Sequence, residues 1–186
     1  QFQMSSTNSI RILDAWNEVE NTTSVTTKVL VDAMKRAGTA AKEAGIDFDL
    51  FNGIVAAVGE ATRKTGDAIG TSLRFMFQRI YGNNVSAVLE KIGVAVSDTS
   101  GKFKTAKTIL SEVAGRWRNL TDAQRHQIAV AVAGARHIND FLVLMEHYDR
   151  AVDVSATSML SQGSAARENE KAMKTLSKVI VSMTEK

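Results

Sequence analysis

Apolar residues recur at helical spacing along most of this chain, and the clearest example lies between Gly53 and Ile80. Two amphipathic patterns in this stretch are joined by the step Thr65-Gly66-Asp67. Phe75 lies off the main apolar face of the second pattern, so that helix is apolar on more than one side. The stretch therefore predicts a helical hairpin that neighbouring helices bury. The main face of its second helix carries Ile69, Leu73, Met76, Phe77 and Ile80.

Similar patterns predict helices along the rest of the chain, with breaks at glycine or at polar residues. The predicted helices span residues 10–20, 25–44, 48–64, 65–81, 85–92, 105–120, 122–133, 135–161 and 165–183. Their predicted N-caps are Ser9, Ser24, Asp47, Thr65 or Asp67, Asn84 and Thr105, and Thr121 forms a capping box with Gln124. Gly45, Gly82 and Gly93 follow predicted helix ends. The first helix is predicted to carry Ile12, Leu13, Trp16 and Val19 on one face.

A strand-like pattern occurs at residues 94–104. Val94 and Val96 alternate with small residues, residues 97–101 have turn chemistry, and Phe103 follows between two lysines. This pattern suits a short β-hairpin with Gly101 in a left-handed conformation. Because so short a hairpin is marginal alone, it must pack on a helix or be a plain loop.

Composition supports an all-α fold. The chain has 186 residues, of which 44% are hydrophobic and 23% are charged, and it contains no proline. Proline usually punctuates turns and ends helices, so its absence favours helices that end at glycine. The predicted fold class is an all-α, compact bundle of about seven to eight helices, to which the last predicted helix, at residues 165–183, is added as an arm. Cysteine is also absent, which excludes disulfides, thiol nucleophiles and cysteine-ligated metals.

The sequence predicts three parts. Residues 1–8 are polar and are interpreted as a disordered tail or a cloning scar, with no basic and apolar signal peptide. Residues 9–162 are predicted to form the helical core domain. Residues 163–186 are charged and sparsely apolar, which predicts a C-terminal amphipathic helix or arm. The chain is interpreted as a fragment of a longer one. The apolar stripe of the arm carries Met173, Leu176, Val179, Ile180 and Met183.

Candidate chemistry is sparse, and no catalytic, cofactor-binding or metal-binding residue is assigned. His126 and His137 are eleven residues apart, about 16 Å along one helix, which is too far to share a metal. His147 is followed by Asp149 and Asp153, but these residues supply too few ligands for a metal site. The glycines are spread along helical patterns instead of forming a phosphate-binding loop. No cofactor is predicted.

The net charge of +3 is spread along the chain, with no run of five basic residues. This favours a mixed solvated surface over a nucleic-acid patch. Arg116-Trp117-Arg118 comes nearest to the basic and aromatic interleaving of single-strand binders, but a core tryptophan between surface arginines is the better interpretation.

Several stretches, taken together and in order, resemble the conserved core of phage tail tape measure proteins of siphophages and prophages. The resemblance covers roughly residues 10–175, and it departs from the family near Gly82 to Asn84, where the family often has a proline. The stretches that carry it are residues 13–19 (LDAWNEV), 32–38 (DAMKRAG), 40–46 (AAKEAGI), 53–57 (GIVAA), 60–66 (EATRKTG), 69–73 (IGTSL), 93–96 (GVAV), 120–125 (LTDAQR), 133–139 (AGARHIN) and 141–145 (FLVLM).

The resemblance implies a structural protein of the virion tail, without established catalytic residues. Such proteins fill the tail lumen, set tail length during assembly in the host cytoplasm, and are released at genome ejection. The implied partners are tube, hub or distal tail proteins and assembly chaperones, with self-association also open. A small-molecule substrate is not expected, and a membrane would be met only during ejection.

A rod of 186 helical residues would be about 280 Å long. The many glycine and polar breaks instead predict a folded-back body with a radius of gyration of about 16 Å. Two other functions stay open. One is a general helical interaction module. The other is a membrane-active segment that inserts Phe75-Met76-Phe77 or residues 128–135, for which burial in the core is the alternative.

Overall fold

A computed structural model of the chain describes the backbone from Thr7 to Thr184 and the side chains of residues 9–175. The expected loose segment 1–8 lies almost wholly outside these residues. The all-α class is confirmed, but the predicted number of seven to eight helices is too low, because the described part contains ten. They are α1 (Thr7–Thr22), α2 (Thr27–Glu43), α3 (Phe48–Thr62), α4 (Gly66–Arg79), α5 (Asn83–Glu90), α6 (Ala106–Trp117), α7 (Asp122–Ala133), α8 (Ile138–Glu146), α9 (Tyr148–Met159) and α10 (Ser164–Thr184).

The predicted hairpin of α3 and α4 lies at the centre of the fold. α3 is buried at every residue from Phe48 to Gly59, and it packs against α2, α4, α8 and α9. The predicted apolar face of α4, from Ile69 to Ile80, is also buried. A helix that is apolar all round is expected to be covered on all sides, as α3 is here.

Glycines allow the two closest helix pairs to form. A Cβ atom built on Gly53 of α3 would lie 2.0 Å from the Ala151 carbonyl oxygen of α9. In α4, Cβ atoms on Gly66 and Gly70 would lie 2.2 and 2.7 Å from the carbonyl oxygens of Val29 and Ala33 of α2. No side chain fits at such distances, so these glycines bring α3 against α9 and α4 against α2.

Residues 135–161, predicted as one helix, form two. The break lies at His147, whose φ of −110° and ψ of 24° fall outside the helical region. On one side of it α8 packs against α7, whereas on the other side α9 packs along α3 and buries Tyr148. The two helices thus pack against different neighbours. Neither glycine nor proline marks the break in the sequence.

The predicted β-hairpin at residues 94–104 is wrong, because the described part of the chain contains a single β-bridge, Ser97 to Phe103, and no strand. The turn itself forms as predicted, with Gly101 at φ +82°. Val94 and Val96 are buried in the core. The returning limb is too short to pair further, because Thr105 already caps α6.

Most predicted caps are confirmed. The side chains of Asp47, Thr65, Thr105 and Thr121 each accept a hydrogen bond from the backbone N–H three residues later, and Gln124 completes the capping box. Ser9, Ser24 and Asn84 are wrong as caps, because Ser9 lies inside α1, α2 begins after Thr26 and α5 begins after Gly82. The accessible surface is 10474 Å². A compact protein of this mass exposes about 8,800 Å² and an extended chain about 29,000 Å², so the body is folded back on itself.

Candidate interaction surfaces

The first notable surface feature is the start of α10, which a buried carboxylate caps. Asp14 of α1 is 3% exposed and therefore buried. The apolar face predicted for α1 places its neighbour Leu13 in the core. Leu13 is instead 57% exposed, so this part of the predicted face is wrong. The Asp14 carboxylate accepts hydrogen bonds from the N–H groups of Gly163 and Ala165 at 2.8 and 2.9 Å. A carboxylate at this position satisfies N–H groups that a helix start otherwise leaves unpaired.

Two more residues of α1 bind the same turn. The Asn17 amide donates to Ser164 Oγ at 3.1 Å, and Ser164 Oγ donates to the Glu18 carboxylate at 2.5 Å. Arg167 lies 3.7 Å from the same carboxylate. α10 is therefore attached to α1 by a set of polar contacts from its first turn, and its direction is fixed where it leaves α9.

A second polar group lies deeper, between α1, α3 and α9. Ser158 donates to Asp49 Oδ1 at 2.6 Å and accepts from the Asn52 amide at 3.1 Å. Arg11 donates to the other Asp49 oxygen at 2.6 Å, and the Trp16 indole N–H donates to Asn52 at 3.2 Å. We call these contacts, together with those of Asp14, Asn17, Glu18 and Ser164, the polar junction.

The polar junction was missed in the sequence because each residue, read alone, is an ordinary helix-surface or helix-start residue. Asp49, for example, lies in the first turn of α3, where a carboxylate is favourable for any helix. Ser158, Ser161 and Ser164 are all buried, but nothing in the sequence distinguishes them from exposed serines near a helix end.

A groove lies between α6 and α9. One end is a hollow of about 420 Å³ lined by Ser111 and Gly115 of α6 and by Val152 and Asp153 of α9. Burial of Tyr148, at the floor of the groove, raises its pKa to about 12. We call this surface the α6–α9 groove. It continues past Trp117 into a second hollow of about 460 Å³ beside α7 and α8.

The histidines do not form a metal site. Gly134 ends α7, so His126 lies within α7 and His137 precedes the first residue of α8, instead of both lying on one continuous helical face. His147 lies at the joint between α8 and α9. Among the residues that the structure describes, no group of three or more histidine, aspartate or glutamate residues could hold a metal ion.

One ion pair ties three helices together. Arg150 of α9 forms a two-pronged contact with the Glu60 carboxylate of α3, at 2.9 and 3.0 Å. It also donates to the carbonyl oxygen of Thr22 at the end of α1. Hydrogen bonding from Arg150 lowers the pKa of Glu60 below its ordinary value of 4.5, against the opposing effect of burial.

The aromatic and apolar stretches considered for nucleic acid or membrane contact are largely buried. Trp117 is 3% exposed and stacks edge-on with Phe141, so it is not available as a base platform. Met76, Phe77 and the residues Ile128 and Val132 of α7 are buried, whereas Phe75 is 43% exposed. In the described part of the chain no single helix is long and apolar enough to cross a membrane, although α7 and α8, bent by 119°, pass that test as a pair.

These observations define a class: an all-α body built on close helix packing, with an anchored surface helix and a groove. The chain belongs to the family of phage-related minor tail proteins, whose sequence model matches residues 1–134, more than half of the chain. It is also 28% identical over 148 residues to a probable tape measure protein of Escherichia phage P2, which covers 77% of this chain. Both matches confirm the resemblance found in the sequence.

The chain spans only 18% of the length of that phage P2 relative. No solved structure matches it.

Proposed function

We propose that this chain is a structural, non-enzymatic segment of a tape measure protein in the virion tail. Membership of the minor tail protein family and the match to a probable tape measure protein are the observations that carry the proposal. The segment would lie in the tail lumen after assembly in the host cytoplasm. Tube, hub or distal tail proteins and assembly chaperones are the partners that this role requires.

Within that role, the chain works as a folded body and not as a stretch of ruler. The accessible surface of 10474 Å² supports this, because it is close to the value for a compact protein. A region that measures length in proportion to its residues must lie extended, which the close α2–α4 and α3–α9 packing opposes. The length-determining function then belongs to other parts of the protein, and this body acts in assembly or in release at genome ejection.

We also propose a two-part organisation. Residues 9–162 form the body, and residues 163–186 form an arm that begins at the polar junction. Every described side chain from Arg167 to Thr175 is exposed, which supports an arm that leaves the body.

The test uses phage that carry one substitution in the full-length protein. Gly53→Val places a side chain into the Ala151 carbonyl and should unfold the body, whereas Ala87→Val enlarges an exposed side chain of α5. We expect Gly53→Val to reduce infectious titre at least about a hundredfold, with electron microscopy and protein analysis locating the defect in tail assembly or in ejection. Ala87→Val phage should form normal tails.

Normal titre from Gly53→Val phage, with the purified variant chain shown to be unfolded, would mean that the folded body is dispensable. If purified virions contain the rest of the protein but lack this segment, the segment is not part of the mature tail.

The membrane-active alternative has weaker support. Ile128 and Val132 would have to leave the core before they could meet a bilayer. A leakage assay on anionic vesicles with the intact chain tests this directly. Leakage by the folded chain would favour the alternative.

A further inference from the structure

The solvent-facing side of α4, beyond its first turn, carries positive charge without neighbouring carboxylates. α4 packs against α7 and α8, and neither residues 68–89 nor residues 123–139 contain an aspartate or a glutamate. Two of the carboxylates that border these segments are already held in ion pairs. Asp67 is bound by an arginine of α2, and Asp140 is bound by the lysine that follows Arg63. The charge of this side is therefore available to an anionic partner.

Two arginines here have no partner in the part of the chain that the structure describes. Arg74 is exposed on α4, and Arg136 is exposed in the turn between α7 and α8. Neither forms a hydrogen bond or an ion pair with another described residue. Arg79, one helical turn after Phe75, donates to the carbonyl oxygen of Ala131 at 3.1 and 3.3 Å, which brings a third guanidinium to the end of α7.

Two partly exposed aromatic pairs lie at the two ends of this surface. Phe75 is 43% exposed and packs against the imidazole of His137, with ring centroids 5.3 Å apart. Beyond the end of α4, Phe103 is 60% exposed and packs against Tyr81, with ring centroids 5.1 Å apart. Six residues separate Phe75 from Tyr81, which corresponds to about 9 Å along a helix axis. Each pair holds one exposed ring in place.

Basic residues flank both exposed rings. Arg74 precedes Phe75, and Phe103 lies between Lys102 and Lys104. The carboxylate of the turn before Phe103, Asp98, already accepts hydrogen bonds from Ser100 and from the N–H of Lys102. The combination of fixed rings and free cations arises only on folding, because each aromatic pair joins segments that are far apart in the chain.

Single-stranded nucleic acid matches both features of this surface. Its bases stack on exposed aromatic rings, and its phosphates bind guanidinium groups. An acidic peptide would satisfy the arginines but leave the two rings without a partner. A bilayer requires apolar side chains that project beyond the charged ones, whereas Met76 and Phe77, which follow Phe75, are buried.

We propose that this side of α4, with its two aromatic pairs, binds single-stranded nucleic acid. Bases stack on Phe75 and Phe103, while Arg74 and Arg136 bind phosphates. Arg79 contributes charge and keeps its hydrogen bonds to the end of α7. Because every base has an aromatic face, binding of this kind does not depend on sequence.

Fluorescence anisotropy of a labelled oligothymidylate of about 20 nucleotides tests the proposal with the isolated chain. We expect micromolar binding at about 50 mM salt, which weakens as salt rises with a double-logarithmic slope of about −1.4 to −2, for two or three phosphate contacts. A duplex of the same length should bind at least about fivefold more weakly, because its bases are not free to stack.

Two double substitutions separate the charge from the stacking. Arg74→Gln with Arg136→Gln removes two cations that have no partner in the described chain. Phe75→Leu with Phe103→Leu removes both rings but keeps apolar side chains. We expect each to weaken binding of the single strand at least about fivefold, and the arginine substitutions alone to reduce the salt slope. Circular dichroism verifies that each variant is folded.

Lys171→Gln with Lys174→Gln is the matched control, because it also removes two exposed cations, from the arm that packs on α1. It should bind the single strand like the wild type. Vesicles of anionic phospholipid provide the comparison with a bilayer, and the folded chain should not float with them.

An unchanged anisotropy at chain concentrations up to about 100 μM, the weak limit of non-specific nucleic-acid binding, overturns the proposal. So does binding that the control weakens as much as the arginine substitutions do, or that the phenylalanine substitutions leave unchanged. Vesicle binding that is lost with the same substitutions would assign the surface to a membrane instead. None of these results bears on the role in the tail.

Discussion

At the residue scale, glycine has two opposite consequences on these helices. At Gly53 the missing side chain lets α3 touch the backbone of α9. At Gly115 it lowers helix stability, and no atom of the described residues lies within 4 Å of the position that a Cβ atom would take. We therefore expect Gly53→Ala to lower the free energy of unfolding by about 2–4 kcal/mol. Gly115→Ala should raise it by about 0.5–1 kcal/mol. Urea denaturation followed by circular dichroism measures both, and equal effects for the two variants would contradict the packing described for α3 and α9.

The Glu60–Arg150 pair makes the stability depend on pH. The folded-state pKa of Glu60 is lowered, so its contribution is present above the ordinary value of 4.5 and is lost as the pH falls through the folded-state value. Glu60→Gln should therefore lower the urea midpoint at pH 7, and the difference from wild type should shrink towards pH 3. Glu90→Gln, which removes an exposed carboxylate on α5, is the control. A difference that stays constant from pH 7 to pH 3 would show that the carboxylate charge is not the cause.

At the element scale, α10 depends on a residue that is far away in sequence. Asp14→Ala removes the acceptor of two N–H groups at the start of α10, and a lost N-cap costs about 1–2 kcal/mol. We expect faster amide hydrogen exchange in residues 163–170, with α3 and α4 unchanged. Asp14→Asn keeps one acceptor oxygen, so its exchange rate in residues 163–170 should lie between those of the wild type and Asp14→Ala.

Asp122→Ala is the matched control, because it removes an exposed carboxylate from the first turn of α7, where Thr121 still caps the helix. Unchanged exchange in residues 163–170 of Asp14→Ala would mean that the polar junction does not hold the arm.

The sequence predicted those elements whose structure depends on local residues. The apolar face of α4, the caps Asp47, Thr105 and Thr121, and the positive φ of Gly101 all follow from side chains within a few positions. The break at His147 and the burial of Asp14 could not be predicted in this way. The break at His147 depends on the packing of α9 along α3, and the burial of Asp14 depends on its hydrogen bonds to the start of α10. These contacts join residues far apart in the sequence, so helical periodicity alone does not predict them.

The same limit applies to the surfaces. Serines at positions 158, 161 and 164 have an ordinary helix-end composition, and only folding brings Asp49 and Asn52 against Ser158. The groove depends on the space between α6 and α9, which no pattern along either helix reveals. Gly115 was visible in the sequence, but its open surroundings were not.

At the scale of the whole molecule, the chain is compact. Small-angle X-ray scattering at low concentration should give a radius of gyration of about 16–20 Å, where the projecting arm accounts for the upper part of the range. A straight helical rod of this length would give about 80 Å. A rod-like profile would contradict the helix packing.

The tail length of phage whose tape measure protein lacks residues 10–183 distinguishes a folded body from an extended ruler. If this segment is a folded body, electron microscopy should show tails of normal length, or no tails at all where the body is needed for assembly. If it lies extended as part of the ruler, the tails should be shorter by about 260 Å, the length of that many helical residues. Tails shortened by that amount would show that the segment lies extended and is not a folded body in the tail.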